Sequence, residues 1–239
     1  MSPRIENLPD GSSLQRDNLN HQAIEDYLKT IYLLAEAEEE QRVSTSQIAE
    51  AREVKPASVT NMIQRLARLN LVDYEKHNGV RLTENGRQIA LEVIRHHRLI
   101  ELYLMEALGF SWDEVHEQAD ILEHVISEKL EERIAAALNH PTVDPHGDPI
   151  PSLEGAIVLV DMQPLASLEA GDRGRVARII DDANSEMLRY LADLGLVPGA
   201  EFRVAEVAPF HGPITLELDG ARRVVGHNVA EAILVELLD

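Results

Sequence analysis

The sequence predicts a mainly α protein with a small β component, built as a winged helix-turn-helix, a helical middle region and a small C-terminal β-barrel. Three observations carry this. Apolar residues at helical spacing dominate residues 21–140. One alternating segment interrupts them, "LVDYEKHNGVRLT", with Asn78-Gly79 as a strong hairpin signal. Beyond residue 155 the pattern changes to short β-rich runs separated by glycine.

Taken in order, residues 1–20 are polar and read as a flexible lead-in. The winged domain spans 21–83. Its first helix carries Ile24, Tyr27, Leu28, Ile31 and Leu34 on one face. "STSQIAEARE" begins with capping residues and is short. "KPASVTNMIQRLARLNL" places Pro56 near a helix start and turns Val59, Ile63 and Leu66 inward, and the hairpin follows as a wing. Residues 84–140 predict two long helices, about 85–108 and 113–139, parted by "GFSW". "HPTVDPHGDPIPSLEG" reads as a linker or meandering loop, set at 141–154. Residues 155–239 hold "RGRVARII", "EFRVAEVA" and "PITLELDGARRVVG", with one helix around "SEMLRYLADLGL".

A chain of 239 residues, 44% hydrophobic, can bury a core in more than one domain. It has no cysteine, which excludes disulfides, thiolate zinc sites and thiol catalysis and fits a reducing compartment. No apolar run approaches a membrane span, and no leader is evident, so a cytoplasmic protein without a membrane partner is expected. Net charge is −20, from 22 basic and 42 acidic residues. Between Arg42 and Arg95, however, nine basic residues face six acidic ones, a local +3. The positive charge is concentrated where the winged domain sits, and the acidic surplus elsewhere suppresses loose binding to nucleic acid.

A reading helix must offer small hydrogen-bonding side chains to bases and cations to phosphates. With Val59, Ile63 and Leu66 inward, Ala57, Ser58, Asn61, Gln64, Arg65 and Arg68 face out. Ser58, Asn61 and Gln64 are candidate base readers; Lys55, Arg65, Arg68 and the wing's Arg81 are candidate phosphate contacts. Pro56 and Thr60 complete the expected DNA-facing set. The bland reading is a solvated helix on a protein-binding module.

"HEQADILEH" raises a second chemistry. His116, Asp120, Glu123 and His124 lie at offsets that confine them to an arc of roughly 100° on a helix, with no Lys or Arg among them. The preceding helix adds His97 and Glu101 at i, i+4 on one face. Imidazole and carboxylate donors without sulfur suit Mn²⁺, Fe²⁺, Co²⁺ or Zn²⁺. His77, in the wing turn, could touch a phosphate or be idle, and His211, in "PFHGP", reads as a loop histidine rather than a ligand.

The chain resembles the diphtheria-toxin-repressor family of metalloregulators, its manganese-sensing branch nearest, over roughly residues 20–239. The likeness rests on "EDYLKTIY", "IAEAREVKPASVTNMIQRL", "HHRLIELYL", "VHEQADILEHVIS" and "HGDPIPS". The C-terminal "PLASLEAGDRGRV", "LADLGLVPGAEF" and "GPITLELDG" are similar to the SH3-like domain of ferrous-iron transport accessory proteins. The resemblance implies a homodimer on double-stranded operator DNA, repressing metal-uptake genes. It implies one or two ions per chain, a primary site of Asp26, Asp120, Glu123 and His124, and an ancillary site of His97, Glu101 and His116. In the manganese branch the equivalent of His97 joins the primary carboxylates. Glu186 is the obvious donor from the C-terminal domain. Iron-responsive members use Met and Cys where this chain has Asp26 and Asp120, which shifts preference toward Mn²⁺, with Fe²⁺ the alternative. Asp26, expected just before the DNA-binding head, would tie that head to the dimer core through the ion. A binuclear metalloenzyme is the alternative of another class, disfavoured because Glu123 and His124 are adjacent rather than in paired Glu-x-x-His motifs.

Overall fold

The computed structural model describes residues 11–36, 42–158, 160–180 and 183–238, with backbone alone for 11–20. Its contacts divide into two compact units, one ending at Ile94 and the other beginning at Arg95. Among the described residues there are eight α-helices and two sheets. No described helix is long and apolar enough to cross a membrane.

In the first unit α1 (Gly11–Ala35), α2 (Thr45–Ala51) and α3 (Pro56–Arg68) precede a hairpin of β1 (Val72–Glu75) and β2 (Gly79–Leu82). Residues 1–10 of the expected lead-in lie outside the described residues; 11–20 are helical and extend α1. Tyr27, Leu28 and Ile31 of α1 enter a core with Ile48, Val59, Ile63 and Leu66, the stripe that the spacing predicts. Ser44 caps α2 by accepting from the Gln47 amide at 3.1 Å, and the Gln47 side chain returns the bond to Ser44. The hairpin signalled by Asn78-Gly79 is present, and its turn has three residues, because Glu75 pairs with Gly79. His77 takes the left-handed conformation there, φ 71°, as such loops require. Gly86 opens α4 (Glu84–Leu108) against the Leu71 carbonyl, where an added Cβ would come within 2.0 Å.

The second unit contains α4 from Arg95, then α5 (Val115–Leu122) and α6 (Glu128–Ala137). The predicted helix over 113–139 is therefore two helices. Ser127 is extended (φ −92°, ψ 153°), and its side chain caps α6 through the Leu130 amide. The single-helix arc consequently fails at its end: Glu123 caps α5, and His124 lies past it. Leu99 packs with Ile134, Ala135 and Ile150, while Ile100 and Leu104 pack with Val115 and Ala119. The stretch expected as a linker is buried from Asp144 to Asp148, with Ile150 and Pro151.

The C-terminal part adds β3 (Gln163–Pro164), β4 (Arg173–Ile179), α7 (Ser185–Leu194), β5 (Glu201–Val207), β6 (Ile214–Leu218), β7 (Ala221–Val225), α8 (His227–Glu231) and β8 (Ile233–Leu237). The strand order is β3-β8-β4-β5-β6-β7, antiparallel throughout. The expected barrel is an open sheet, since β3 and β7 are edges that do not pair. Two-residue β3 includes Pro164, which has no amide hydrogen to extend a ladder. Val176, Ile179, Phe202, Val204, Leu216 and Val235 form its core with Leu188 and Leu191 of α7.

Candidate metal centre

The polar groups of the second unit gather where α4, α5 and the 144–150 loop meet. Helical spacing puts His97 and Glu101 on one face of α4, and both are buried. The His97 ring reaches Glu123 from Nδ1 at 2.5 Å and Asp120 at 3.3 Å. Its Nε2 lies 3.0 Å from Glu101 Oε1 and 3.2 Å from His116 Nδ1. His97, His116 and Asp120 each offer a ligand atom within 4.8 Å of the others. Asp120 is half-exposed, so this cluster opens toward solvent. His124 Nε2 stands 3.5 Å from Glu123 Oε1. His96 faces elsewhere, toward Glu131 Oε2 at 3.2 Å and the Glu123 carbonyl at 3.1 Å.

A second cluster adjoins the first and was not found from the sequence: Glu101, Asp144 and His146, all buried, with ligand atoms within 4.8 Å of one another. Asp144 Oδ1 accepts from the amides of His146 at 2.8 Å and Asp148 at 2.9 Å, which folds the loop over its own carboxylate. His146 Nε2 donates to the Trp112 carbonyl at 2.8 Å, so the neutral ring would turn a lone pair at Nδ1 inward. Asp144 Oδ2, Glu101 Oε2 and His146 Nδ1 are then buried polar atoms without a hydrogen-bond partner. Such atoms are costly in a folded interior, and here three of them converge, with Arg98 Nε no nearer to Asp144 Oδ2 than 3.7 Å and His146 Nδ1 3.7 Å from Glu101 Oε2. Two oxygens and an imidazole nitrogen fit a hard-to-borderline divalent ion.

Charge in this cluster is finely opposed. Burial works to raise the Glu101 carboxyl, but the charge of His97 and the approach of His116, His146 (3.7 Å) and His97 outweigh it and hold it well below the usual carboxylate range. Burial, then the charges of Glu101 and Asp148, push Asp144 well above that range despite Arg98 and His146. Burial works to lower His146, but its contact with Glu101, the charges of Glu101 and Asp144, and the Trp112 carbonyl raise it to about 9. A cation entering would take the place of a proton.

The loop is anchored from both sides. Asp148 Oδ1 accepts from Arg98 at 2.8 Å and from Arg178 of β4 at 2.6 Å. The Ile179 amide donates to the His146 carbonyl at 2.9 Å. Gly147, at φ 90°, lies so close to β4 that a Cβ would meet the Ala177 carbonyl at 1.9 Å.

Asp26 is part of the head's own first helix rather than lying before it, and its carboxylate is held by Arg52 at 2.7 Å within the first unit. Glu186, on the first turn of α7, is exposed and is in none of the metal-capable clusters of the described residues. The element of the C-terminal domain that reaches the loop is β4, through Arg178 and Ile179. The signal for the missed pair was present in "DPHGDP": a carboxylate and an imidazole two residues apart in a Pro/Gly-rich turn. Nothing in the sequence indicated that this turn is buried.

On α3, Lys55, Pro56, Ala57, Ser58, Asn61, Gln64 and Arg68 are exposed, and Thr60 and Arg65 half-buried. Thr60 donates its hydroxyl back to the Pro56 carbonyl at 3.1 Å. Arg81, on the wing, is half-exposed and lies 3.4 Å from Asp73.

Residues 21–80 match the family model "Iron dependent repressor, N-terminal DNA binding domain". Residues 83–152 match "Iron dependent repressor, metal binding and dimerisation domain", and 163–237 match "FeoA domain". The chain is 34% identical over 224 residues to the iron-dependent repressor IdeR of Mycobacterium tuberculosis, covering 88% of this chain and 95% of that protein. It is 30% identical over 223 residues to the diphtheria toxin repressor of Corynebacterium efficiens, covering 89% and 94%. A manganese-dependent transcriptional repressor in complex with manganese superposes with a TM-score of 0.81 at 40% identity, over 90% of this chain and all of that one.

Proposed function

This chain belongs to the iron-dependent repressor family that includes the diphtheria toxin repressor and IdeR, and from that membership we propose that it is a Mn²⁺-activated repressor of metal-uptake genes. At the coarser level it is a metal-dependent, DNA-binding transcriptional repressor, as its relatives are along nearly their whole length. The metalloenzyme weighed from the sequence is set aside on the same ground.

The observation that carries the reading is the convergence of Glu101 Oε2, Asp144 Oδ2 and His146 Nδ1 without hydrogen-bond partners, beside His97, His116 and Asp120. We assign two ions per chain: one to His97, His116 and Asp120 with Glu123 and Glu101 Oε1, and one to Glu101 Oε2, Asp144 and His146. When bound, an ion supplies the positive charge that lets these carboxylates share one buried space. The all-oxygen-and-nitrogen donor set and the likeness to a manganese-dependent repressor favour Mn²⁺ over Fe²⁺.

Each residue has a task in this scheme. Glu101 presents one carboxylate oxygen to each cluster. The Trp112 carbonyl holds the His146 tautomer, and Arg98 with Arg178 fixes the loop through Asp148. The family likeness adds Asp26 to the primary set; recruiting it means giving up Arg52, so the head would respond to metal by exchanging one cationic partner for another. Ile121, Val125 and Leu130 are exposed in the single chain, as a homodimer interface in this domain requires. Ser58, Asn61 and Gln64 would read bases, with Lys55, Arg65, Arg68 and Arg81 on phosphates.

The test is retention of fragmented genomic DNA by chelator-stripped protein in EDTA, or with Mn²⁺, anaerobic Fe²⁺ or Zn²⁺, with bound metal counted in the same samples. Specific fragments held with Mn²⁺ at two ions per chain are expected. Equal retention in EDTA would remove the sensor from this reading.

A further inference from the structure

Away from these clusters, two histidines meet at one end of the C-terminal sheet. His211 stands in the connection between β5 and β6, and His227 opens α8 between β7 and β8. His211 Nδ1 and His227 Nε2 face each other at 3.0 Å, with the rings edge to face and centroids 4.7 Å apart. One helical turn on, Glu231 Oε1 lies 3.7 Å from the same His227 nitrogen. Neither histidine belongs to the sensor clusters.

We propose that His211 and His227, with Glu231 as third donor, form a separate surface site for a borderline divalent transition ion, Zn²⁺ foremost. Two imidazole nitrogens bound at 2.0–2.1 Å to one tetrahedral ion stand roughly 3.3 Å apart. The observed 3.0 Å therefore needs only a slight opening of the rings. Phe210 and His211 both adopt left-handed backbone (φ 60° and 55°), and the His211 ring faces His227 at the start of α8. The Glu231 side chain is 63% exposed, so its carboxylate can swing onto an ion beside His227 without disturbing a packed contact.

The donor balance differs from that of the buried clusters. Two imidazoles and one mobile carboxylate follow the Irving–Williams order with little geometric correction, which puts Zn²⁺ well above Mn²⁺. The ion would staple the 208–213 connection to α8 and leave one coordination position for water or a donor from another molecule. His211, which the sequence reads as a loop histidine, takes a ligand's role in this site, and the site does not depend on the sensor assignment.

The experiment counts Zn²⁺ bound by the full chain after dialysis, for the wild type, His211→Ala and His227→Ala. Melting in EDTA confirms that each variant keeps its fold; His211 is exposed on a loop and serves if His227→Ala unfolds. One Zn²⁺ fewer per chain in each variant, with Mn²⁺-activated DNA retention unchanged, is the expected result. The ring proton signals of His211 and His227 should also shift with Zn²⁺. Equal Zn²⁺ counts in wild type and variants, or ring signals indifferent to Zn²⁺, would overturn the site. Loss of Mn²⁺-activated binding in His211→Ala would overturn its separateness.

Discussion

The two clusters that meet at Glu101 are built on opposite principles. His97, His116 and Asp120 hang from helix faces, and their cluster opens to solvent at half-exposed Asp120. Asp144 and His146 come from a loop, and with Glu101 they are sealed from water. In the first cluster the helices set the geometry, and a solvent-facing donor can be replaced by water. In the second the geometry depends on a loop wound around Asp144 and pressed against β4, so the donors have no substitute.

That contrast is broken most severely at the shared residue. Glu101→Ala should take bound Mn²⁺ from two ions per chain toward none and weaken metal-activated DNA binding by more than about a hundredfold, beyond the 10–100-fold typical of losing a supporting partner. Parallel metal counting and DNA titration check it; a variant that still binds both ions would show that the clusters do not depend on Glu101.

Gly147→Ala attacks the sealed cluster through its backbone. An added Cβ would lie 1.9 Å from the Ala177 carbonyl, at a φ of 90°. A destabilisation of about 2–4 kcal/mol is expected, in the range for strain at a special backbone position combined with overpacking. Denaturant unfolding would measure it, and one ion should be lost before the other. Asp120→Ala should be milder, weakening the solvent-facing site by about tenfold, because water can take the vacated position. Calorimetric titration with Mn²⁺ would separate it from His146→Ala, which should delete one ion outright.

The smallest effect concerns a buried carboxylate beside His96 that belongs to neither cluster. Glu131 is buried, which works to raise its carboxyl, but bonds with His96 and Arg95 and the charges of both residues hold it below its usual 4.5. A folded-state value below the unfolded one means that the contribution is present above about 4.5 and lost as pH falls through the lower folded value. Glu131→Gln should therefore flatten the acid end of the melting-temperature profile of metal-free protein and leave its neutral slope unchanged. An unaltered acid limb would sink this account of Glu131.

The same division separates what could be read early from what could not. Tyr27, Leu28 and Ile31, and then Val59, Ile63 and Leu66, announced the head because helical periodicity is a local property. His97 and Glu101 were legible for the same reason. The break between α5 and α6 was not, since Ser127 in a polar-apolar run can cap a helix or ride within one. Asp144 and His146 were hidden by composition: Pro and Gly mark a turn, and turns are ordinarily exposed.

The sequence by itself determined the order of domains, the exposed face of α3, the absence of thiolate donors and the carboxylate-imidazole character of the candidate centre, because these follow from residue type and short-range spacing. Only the tertiary structure decided that the sheet stays open, that Arg52 holds Asp26, that Glu186 stands aside, and that the 144–150 loop is buried. Each of those depends on which distant segment arrives to exclude water, and β4 pressing on Gly147 is information that no window of neighbouring residues contains.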